Sequence, residues 1–183
     1  VKPILTKKQF VALIKSYPPL QPVGLVVKPS QLVLNDGQQE QFTAWLLMND
    51  LSLKKLNTVQ TKVADRAFAE VKKFTVLGKK PGKTVLTVQE QKWQKEITVI
   101  VRPVPVSLII TPGEASGQKV GQTLQLQAEL VYSDGARQTV APRWLLSSGV
   151  QAELTSSGLL KGLAPGAVTV KAVYQKFAAF KEI

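Results

Sequence analysis

Cysteine and histidine are both missing from this sequence of 183 residues. Their absence removes the thiol nucleophile, the imidazole base and every metal site that depends on thiolate or imidazole ligands. No disulfide can form, so the folded chain depends on packing alone. Methionine occurs once, and no apolar run is long enough to span a bilayer.

Acidic residues are also scarce, and the twelve that occur are scattered along the chain. Paired carboxylates are the remaining option for acid–base catalysis, and the sequence offers no candidate pair. A calcium site needs several converging oxygen ligands, and no dense carboxylate cluster is visible. The sequence therefore predicts a protein that is not an enzyme, with no catalytic residues, no cofactor and no metal.

Positive charge is abundant and unevenly distributed. The net charge is +12, to which residues 1–21 contribute +4, residues 22–103 contribute +6 and residues 104–183 contribute +2. Only four basic residues are arginines, and none lies in a basic motif interleaved with aromatics, so nucleic acid is not expected as a partner. The Lys-rich first half is either a solvated surface or a binding surface for an anionic partner.

The chain contains two copies of one sequence module. Residues 78–82 read GKKPG and precede the strand-like KTVLTV, while residues 162–166 read GLAPG and precede AVTVKA. The two copies lie 84 residues apart, and the same offset recurs at other positions. This tandem duplication predicts an N-terminal segment at 1–21 and two domains, at 22–103 and 104–183.

Short apolar–polar alternations, bounded by Gly and Pro turns, recur at regular spacing in both copies. This pattern is typical of an all-β sandwich. Pro29 interrupts the opening strand of the first copy, which suits a sheet edge or a strand that switches sheets. Residues 49–73 give no clear pattern. The junction at 101–106 reads VRPVPV, which predicts a short and semi-rigid connection.

Residues 1–21 lie outside the repeat and predict a short helical segment. Thr6 is placed to cap the helix. Phe10, Leu13 and Ile14 then share one face at helical spacing. Residues 17–19, which read YPP, are expected to end the helix. Membrane-surface contact is the weaker alternative for this helix, because two turns are few for stable binding.

The second copy carries a series of short motifs in a characteristic order, at residues 110–112, 120–128, 132–135, 144, 147–148, 157–159 and 162–166. Together they resemble a bacterial immunoglobulin-like (Ig-like) domain of group 2, the kind repeated in intimin- and invasin-type surface proteins. The first copy is similar but degenerate. It has lost the Ser-Asp-Gly turn and has Gln60 in place of Trp144, so we expect a different packing between its sheets or an altered middle loop.

The resemblance implies two tandem Ig-like β-sandwiches in an extracytoplasmic protein, on the cell surface, at the outer membrane or in the periplasm. We expect a non-catalytic module of a bacterial cell-envelope or surface protein that acts as spacer, stalk or protein-binding arm. One alternative is a subunit of a large envelope assembly such as a secretion apparatus. Another is a binding module for anionic polysaccharide or a membrane surface. The expected partners are other protein subunits or a surface ligand, and the oligomeric state stays open.

Individual side chains can be assigned on the same basis. Trp144 is interpreted as a core residue between the two sheets, and Asp134 as a turn former whose carboxylate bonds nearby backbone N–H groups. In the first copy, alignment places Ala44 and Leu46 inward. Strand alternation then places Trp45 and its neighbour Leu47 on the outer face.

An outward Trp beside an outward Leu indicates that something covers them. One candidate is the N-terminal helix with Phe10, Leu13 and Ile14. The other is a partner subunit. Trp45, Leu47 and the three helix residues are therefore the candidate interaction surface.

Overall fold

The computed structural model describes residues 6–16, 18–113, 118–147 and 149–183, and the side chains of Phe10 and residues 13–16 lie outside this description. The chain divides into two compact units. The first contains residues up to Leu34 and Gln38–Ile100, and the second contains Asn35–Gly37 and Val101–Ile183. The domain boundaries expected from the sequence, 22–103 and 104–183, stay predictions.

Nearly all regular structure in the described residues is β. The first half of the chain contains α1 (Lys7–Ser16), β1 (Pro22–Lys28), β2 (Gln31–Asn35), β3 (Gln39–Gln41), β4 (Thr43–Met48), β5 (Leu53–Lys55), β6 (Gln60–Val63), β7 (Ala69–Lys72), β8 (Thr75–Gly78), β9 (Gly82–Glu90) and β10 (Trp93–Arg102). The second half contains β11 (Pro105–Thr111), β12 (Thr123–Gln125), β13 (Gln127–Tyr132), β14 (Arg137–Val140), β15 (Arg143–Leu146), β16 (Ala152–Leu154), β17 (Leu159–Gly162), β18 (Thr169–Tyr174) and β19 (Phe177–Glu182). The predicted all-β class with a short N-terminal helix is confirmed.

Thr6 caps α1 as expected. Its Oγ1 accepts a hydrogen bond from the Gln9 backbone N–H at 3.3 Å, and Gln9 Oε1 accepts one from the Thr6 N–H at 2.9 Å. This reciprocal pair satisfies N–H groups that the first turn of a helix leaves unpaired. The helix ends at Ser16, ahead of Pro18 and Pro19, which cannot continue it.

Each unit is a β-sandwich built from sheets of three or four strands. The strand orders are β1-β4-β5, β2-β10-β9-β6 and β3-β8-β7 in the first unit, and β11-β13-β14, β12-β17-β16 and β15-β18-β19 in the second. The interruption expected at Pro29 separates β1 from β2, which belong to different sheets. Equivalent segments pair in equivalent ways, since β1 pairs with β4 and β11 pairs with β13. The structure thus repeats as the sequence does.

One segment in each unit crosses from one sheet to another. The crossing lies at Phe42, between β3 and β4, and at Leu126, between β12 and β13. The Phe42 N–H bonds to the Phe74 carbonyl at 2.9 Å, and the Leu126 N–H bonds to the Gly158 carbonyl at 2.8 Å. Each N–H group is therefore satisfied by a turn and not by a neighbouring strand of the next sheet. The extended segment is divided at this residue into β3 and β4 in the first unit, and into β12 and β13 in the second.

Inward-facing apolar side chains fill both sandwiches. Those with the least exposure in the first unit include Leu34, Phe42, Val76, Leu86, Val88, Ile97 and Val99. The core of the second unit includes Leu108, Leu126, Ala128, Leu130, Leu160, Val170 and Ala172. Because no disulfide supports them, the units depend on this burial, which contributes about 25 cal/mol for each Å² of apolar surface removed from water.

The aromatic packing differs between the two units. Trp144 packs against the edge of the core and is half-buried, rather than enclosed between the sheets as expected. Its ring lies over a turn, and a Cβ built on Gly158 would come within 3.1 Å of it. The predicted equivalence of Gln60 and Trp144 is wrong by one residue. Thr61, opposite Val88 in the first unit, takes the place of Trp144, opposite Ala172 in the second. In the first unit Phe74, the counterpart of Gly158, packs on Phe42 with ring centroids 5.3 Å apart. The expected difference in packing is confirmed.

The first unit keeps a turn that the sequence comparison counted as lost. Between β4 and β5 the Leu51 N–H bonds to the Met48 carbonyl at 2.9 Å. Between β13 and β14 the Gly135 N–H bonds to the Tyr132 carbonyl at the same distance. The predicted loss is therefore wrong, because the backbone hydrogen bond survives the change of sequence.

An aspartate supports both turns. Asp134 Oδ1 accepts a hydrogen bond from the Ala136 N–H at 3.0 Å, as expected. Asp50 Oδ1 accepts one from the Ser52 hydroxyl at 2.6 Å and one from the Ser52 N–H at 2.9 Å. The hydroxyl bond first, and then the N–H bond, lower the pKa of Asp50 below its ordinary value. The folded turn therefore favours the charged carboxylate, and this support is lost as the pH falls through the lowered pKa.

Leu51 adopts a backbone conformation that glycine adopts in the second unit. The φ angle is 67° at Leu51 and 85° at Gly135. A left-handed conformation brings the Cβ of an L-residue too close to the following carbonyl oxygen. The Leu51 side chain is 79% exposed, so it gains little packing to offset this cost.

Leu51→Gly is expected to stabilise the first unit by about 0.5–1 kcal/mol, because relief of the left-handed backbone outweighs the entropy that glycine adds to the unfolded chain. Gly135→Leu is the matched control and should destabilise the second unit by about 1 kcal/mol. Hydrogen exchange of the full chain, read peptide by peptide, measures each unit separately. A first unit that Leu51→Gly leaves unchanged or weakens contradicts this account.

Trp144→Ala is expected to destabilise the second unit by about 2–3 kcal/mol. The loss should be smaller than for an enclosed ring because part of the side chain already meets solvent. Trp144→Phe keeps much of the packing and should lie between this variant and the natural chain. Denaturant midpoints of the three chains provide the comparison, and an unchanged midpoint for Trp144→Ala would remove the packing role.

Candidate functional site

The predicted outward face of β4 is present in the structure. Ala44 and Leu46 are buried together with Phe42, while Trp45 and Leu47 lie half-buried on the opposite side. The alternation predicted from the sequence is confirmed. Trp45 and Leu47 therefore stand outside the core of their own unit.

Strands β1 and β5 extend this surface on either side of β4. Trp45 lies between Val26 on β1 and Lys55 on β5. Leu47 lies between Gly24 and Leu53, where Gly24 brings no side chain and Leu53 is 51% exposed. We call this surface the outer face, and its residues are Gly24, Val26, Trp45, Leu47, Leu53 and Lys55.

A shallow depression adjoins Trp45 on the same side of the sheet. Its lining includes Val26, Lys28, Pro29, Gln41, Thr43 and Trp45. Strands β1, β4 and β5 contain three lysines and no acidic residue. The outer face is therefore apolar in the middle and basic at its rim.

The corresponding face of the second unit is more polar, although it also contains Ile109 and Val131. Glu129 takes the place of Trp45, and Arg137 takes the place of Leu53. Glu129 Oε2 and Arg137 Nη1 lie 3.5 Å apart and form an ion pair. The second unit thus places a pair of opposite charges on this face, whereas the first unit presents apolar surface at the same position.

Three predicted surface residues belong to α1. Phe10, Leu13 and Ile14 lie on the helix, but their side chains are outside the described part of the structure. The side chains that are described, at Lys7, Lys8, Gln9, Val11 and Ala12, are exposed. Contact between α1 and Trp45 stays a prediction.

A group of basic residues that the sequence reading did not single out lies at one end of the first unit. Two loops meet there, because the backbone N–H groups of Lys79 and Lys80 both bond to the Phe68 carbonyl, at 2.8 and 3.4 Å. Arg66 on one loop and Lys79 on the other line the same surface depression. Arg66, Lys79, Lys80 and Lys83 are all exposed, and we call these four residues the basic end.

Two acidic residues lie near the basic end, and both have other partners. Asp65 Oδ1 accepts a hydrogen bond from the Ala67 N–H at 2.8 Å. Glu70 Oε1 lies 3.5 Å from Lys72 Nζ. Within the described part of the chain, neither of the two ion pairs includes a side chain of the basic end.

The equivalent end of the second unit is uncharged at these positions. There the backbone N–H groups of Leu163 and Ala164 bond to the Gln151 carbonyl, at 2.8 and 3.1 Å, which identifies the same turn. The counterparts of Arg66, Lys79, Lys80 and Lys83 are Gly149, Leu163, Ala164 and Ala167. An alignment of the two copies would have revealed this cluster from the sequence, because four basic residues of the first copy stand opposite uncharged residues of the second.

Among the residues that the structure describes, no group of three or more acidic, histidine or cysteine side chains is placed to hold a metal ion. A depression in the second unit, beside residues 162–168, has Lys119 as its one charged lining side chain and so offers no acid–base pair. The same described ranges include no helix with the length and apolar character of a membrane span.

Comparison with known proteins gives one family match. Residues 107–182 match the model of the bacterial Ig-like domain (group 2), which confirms the resemblance expected for the second copy. No curated protein matches the chain.

Several solved structures are similar to the chain at low identity. Domains 5-6 of the S-layer protein SbsC are 14% identical over 89% of this chain and 97% of that one, with a TM-score of 0.39. The Yersinia pseudotuberculosis adhesin InvE is 16% identical over 87% of this chain and 57% of its own, with a TM-score of 0.33. The N-terminal four Ig domains of Dscam1 isoform 6.9 are 11% identical over 91% and 46%, with a TM-score of 0.41.

Trp45→Ser is expected to cost the first unit about 1 kcal/mol or less, the scale of a cross-strand pair, because Trp45 lies outside the core. Phe42→Ala is the contrasting variant. Phe42 is 1% exposed, so its truncation should cost about 3–5 kcal/mol. Denaturant unfolding of the full chain, with hydrogen exchange read for each unit, measures both losses. Similar losses in the two variants would place Trp45 in the core.

Proposed function

Because residues 107–182 match the bacterial Ig-like domain of group 2, we propose that the chain is a non-catalytic part of a bacterial cell-envelope or surface protein, outside the cytoplasm. Its β-sandwich units act as a spacer or stalk, and the first unit also acts as a protein-binding arm. A spacer must hold its shape without chemistry of its own. The filled apolar cores of both units support this role.

One observation carries the protein-binding role, namely the difference between the corresponding faces of the two units. The second unit places the ion pair of Glu129 and Arg137 where the first places Trp45 and Leu53. A contiguous apolar surface in water is unfavourable unless a partner covers it. Tryptophan is also among the residues that contribute most to protein–protein binding. The outer face is therefore the proposed contact surface.

The charge around the outer face favours a particular kind of partner. Lys28 and Lys55 stand at its rim, and its three strands contain no acidic residue. A segment of another protein that combines apolar and acidic side chains is complementary to this surface. The N-terminal segment 1–21, with a net charge of +4, is not complementary to it, and neither is a second copy of a chain with a net charge of +12.

Site-specific photo-crosslinking in the native cell tests this proposal. A photoreactive benzoyl-phenylalanine replaces Leu53 on the outer face, and in a matched control it replaces Arg137 on the second unit. The Leu53 position should give a product with another envelope protein, attached at a segment that contains acidic residues. Adding Trp45→Ser should remove most of that product, because a buried interface tryptophan commonly contributes about 2 kcal/mol or more to binding.

Each alternative outcome has a defined meaning. Products confined to residues 6–16 of the same chain would show that α1 covers the outer face. Products between two copies of the chain would assign the surface to self-association. Equal products from the Leu53 and Arg137 positions would mean that the outer face has no special role. All three results contradict the proposed partner, and the identity of a captured protein distinguishes a stalk from a subunit of an envelope assembly.

A further inference from the structure

The basic end lies on a different surface from the outer face, and the proposed protein contact makes no use of it. Arg66 lies on one loop and Lys79 and Lys80 lie on another, and the two loops are fixed to each other through the Phe68 carbonyl. Lys83 follows at the start of β9. The approach of Arg66 to Lys79 is therefore set by the backbone and does not depend on side-chain attraction. Like charges held near one another repel, and this arrangement costs stability unless an anion binds.

The nearby acids do not provide that anion. Asp65 is held by the backbone N–H of Ala67, and Glu70 by Lys72. By contrast, the basic side chain Arg137 of the second unit lies 3.5 Å from Glu129. None of the four side chains of the basic end has an ion-pair partner among the described residues.

The duplication supplies an internal comparison. Both units build this end with the same pair of backbone hydrogen bonds, to Phe68 in one and to Gln151 in the other. A turn that folds equally well with Leu163, Ala164 and Ala167 has no structural need of lysine. The net charge of the first copy exceeds that of the second by four, and the basic end is large enough to account for the whole excess.

We propose that the basic end of the first unit binds an anionic polysaccharide, a flexible chain that carries carboxylate or phosphate groups at intervals. Binding would place successive anionic groups against Arg66 on one loop, against Lys79 and Lys80 on the other, and against Lys83 at the start of β9. Affinity of this kind arises mainly from the release of counterions and is sensitive to salt.

Two other anionic partners fit this surface less well. Stable attachment to a membrane uses apolar side chains that enter the headgroup region, and none of the large apolar residues that are exposed lies in loops 64–68 or 79–83. Single-stranded nucleic acid is held by aromatic side chains on which bases stack. The one aromatic residue of these loops, Phe68, is half-buried beneath the turn.

The test compares the full chain with two variants that each lose four positive charges. The first variant gives the basic end the uncharged character of the second unit, through Arg66→Ala, Lys79→Leu, Lys80→Ala and Lys83→Ala. In the matched control, four exposed lysines that belong neither to the basic end nor to the outer face are neutralised: Lys54→Ala, Lys62→Ala, Lys92→Ala and Lys95→Ala. Calorimetric titration with alginate, a polyuronate, and with polyphosphate is performed at several salt concentrations.

The natural chain should bind at least one of the two polymers. Loss of the basic end should weaken that binding by about tenfold or more at low salt and flatten its dependence on salt by about 0.7 in log K per log salt for each contact removed. The control variant should stay close to the natural chain. Preference for alginate or for polyphosphate then identifies carboxylate or phosphate as the recognised group.

A gain-of-function variant completes the test. This variant transfers the lysines to the second unit through Leu163→Lys, Ala164→Lys and Ala167→Lys. It should strengthen binding of the anionic polymer by the full chain. The proposal is overturned if the two neutralised variants lose affinity equally, if neither polymer binds, or if phosphatidylglycerol vesicles bind more tightly than both polymers. Circular dichroism of each variant distinguishes lost binding from lost folding.

Discussion

A single backbone hydrogen bond in each unit fixes how its two layers are joined. At Phe42 and at Leu126 the N–H group bonds across to a turn, and the strand that follows joins a different sheet. Because the side chains of a strand alternate, this crossing decides which residues point inward for the rest of β4 and β13. The burial of Ala44 and the outward position of Trp45 both follow from it.

The sequence predicted those features that depend on short-range patterns. Alternation placed Ala44 and Leu46 inward, and the Asp-Gly pair at 134–135 marked a hairpin. The equivalent turn at Leu51 escaped detection because leucine is rarely left-handed, and only the preserved hydrogen bond to Met48 reveals it. Trp144 was expected to be enclosed because no local pattern reports how far a ring extends past the core.

Features that need two distant segments were harder to predict. The basic end exists because loops that are more than ten residues apart share the Phe68 carbonyl, and a scan of charge along the chain gives only a general excess of lysine. The difference in aromatic packing has the same origin, since Trp144 lies over Gly158 and Phe74 packs on Phe42, and each contact joins residues that are distant in the sequence. Both features become visible when the two copies are aligned with each other. Each copy then shows which residues differ at a position where the backbone is the same.

The Pro-Gly turns of the two units are anchored through main-chain atoms, which every amino acid except proline supplies. Side chains at the tip of such a turn can be replaced without disturbing the fold beneath it. The tips of the two copies can therefore differ in sequence while both keep the same backbone hydrogen bonds. The same property makes this loop a natural site for grafting: a short recognition peptide inserted between Gly78 and Gly82 would be displayed by a scaffold that already tolerates both charged and apolar versions of it.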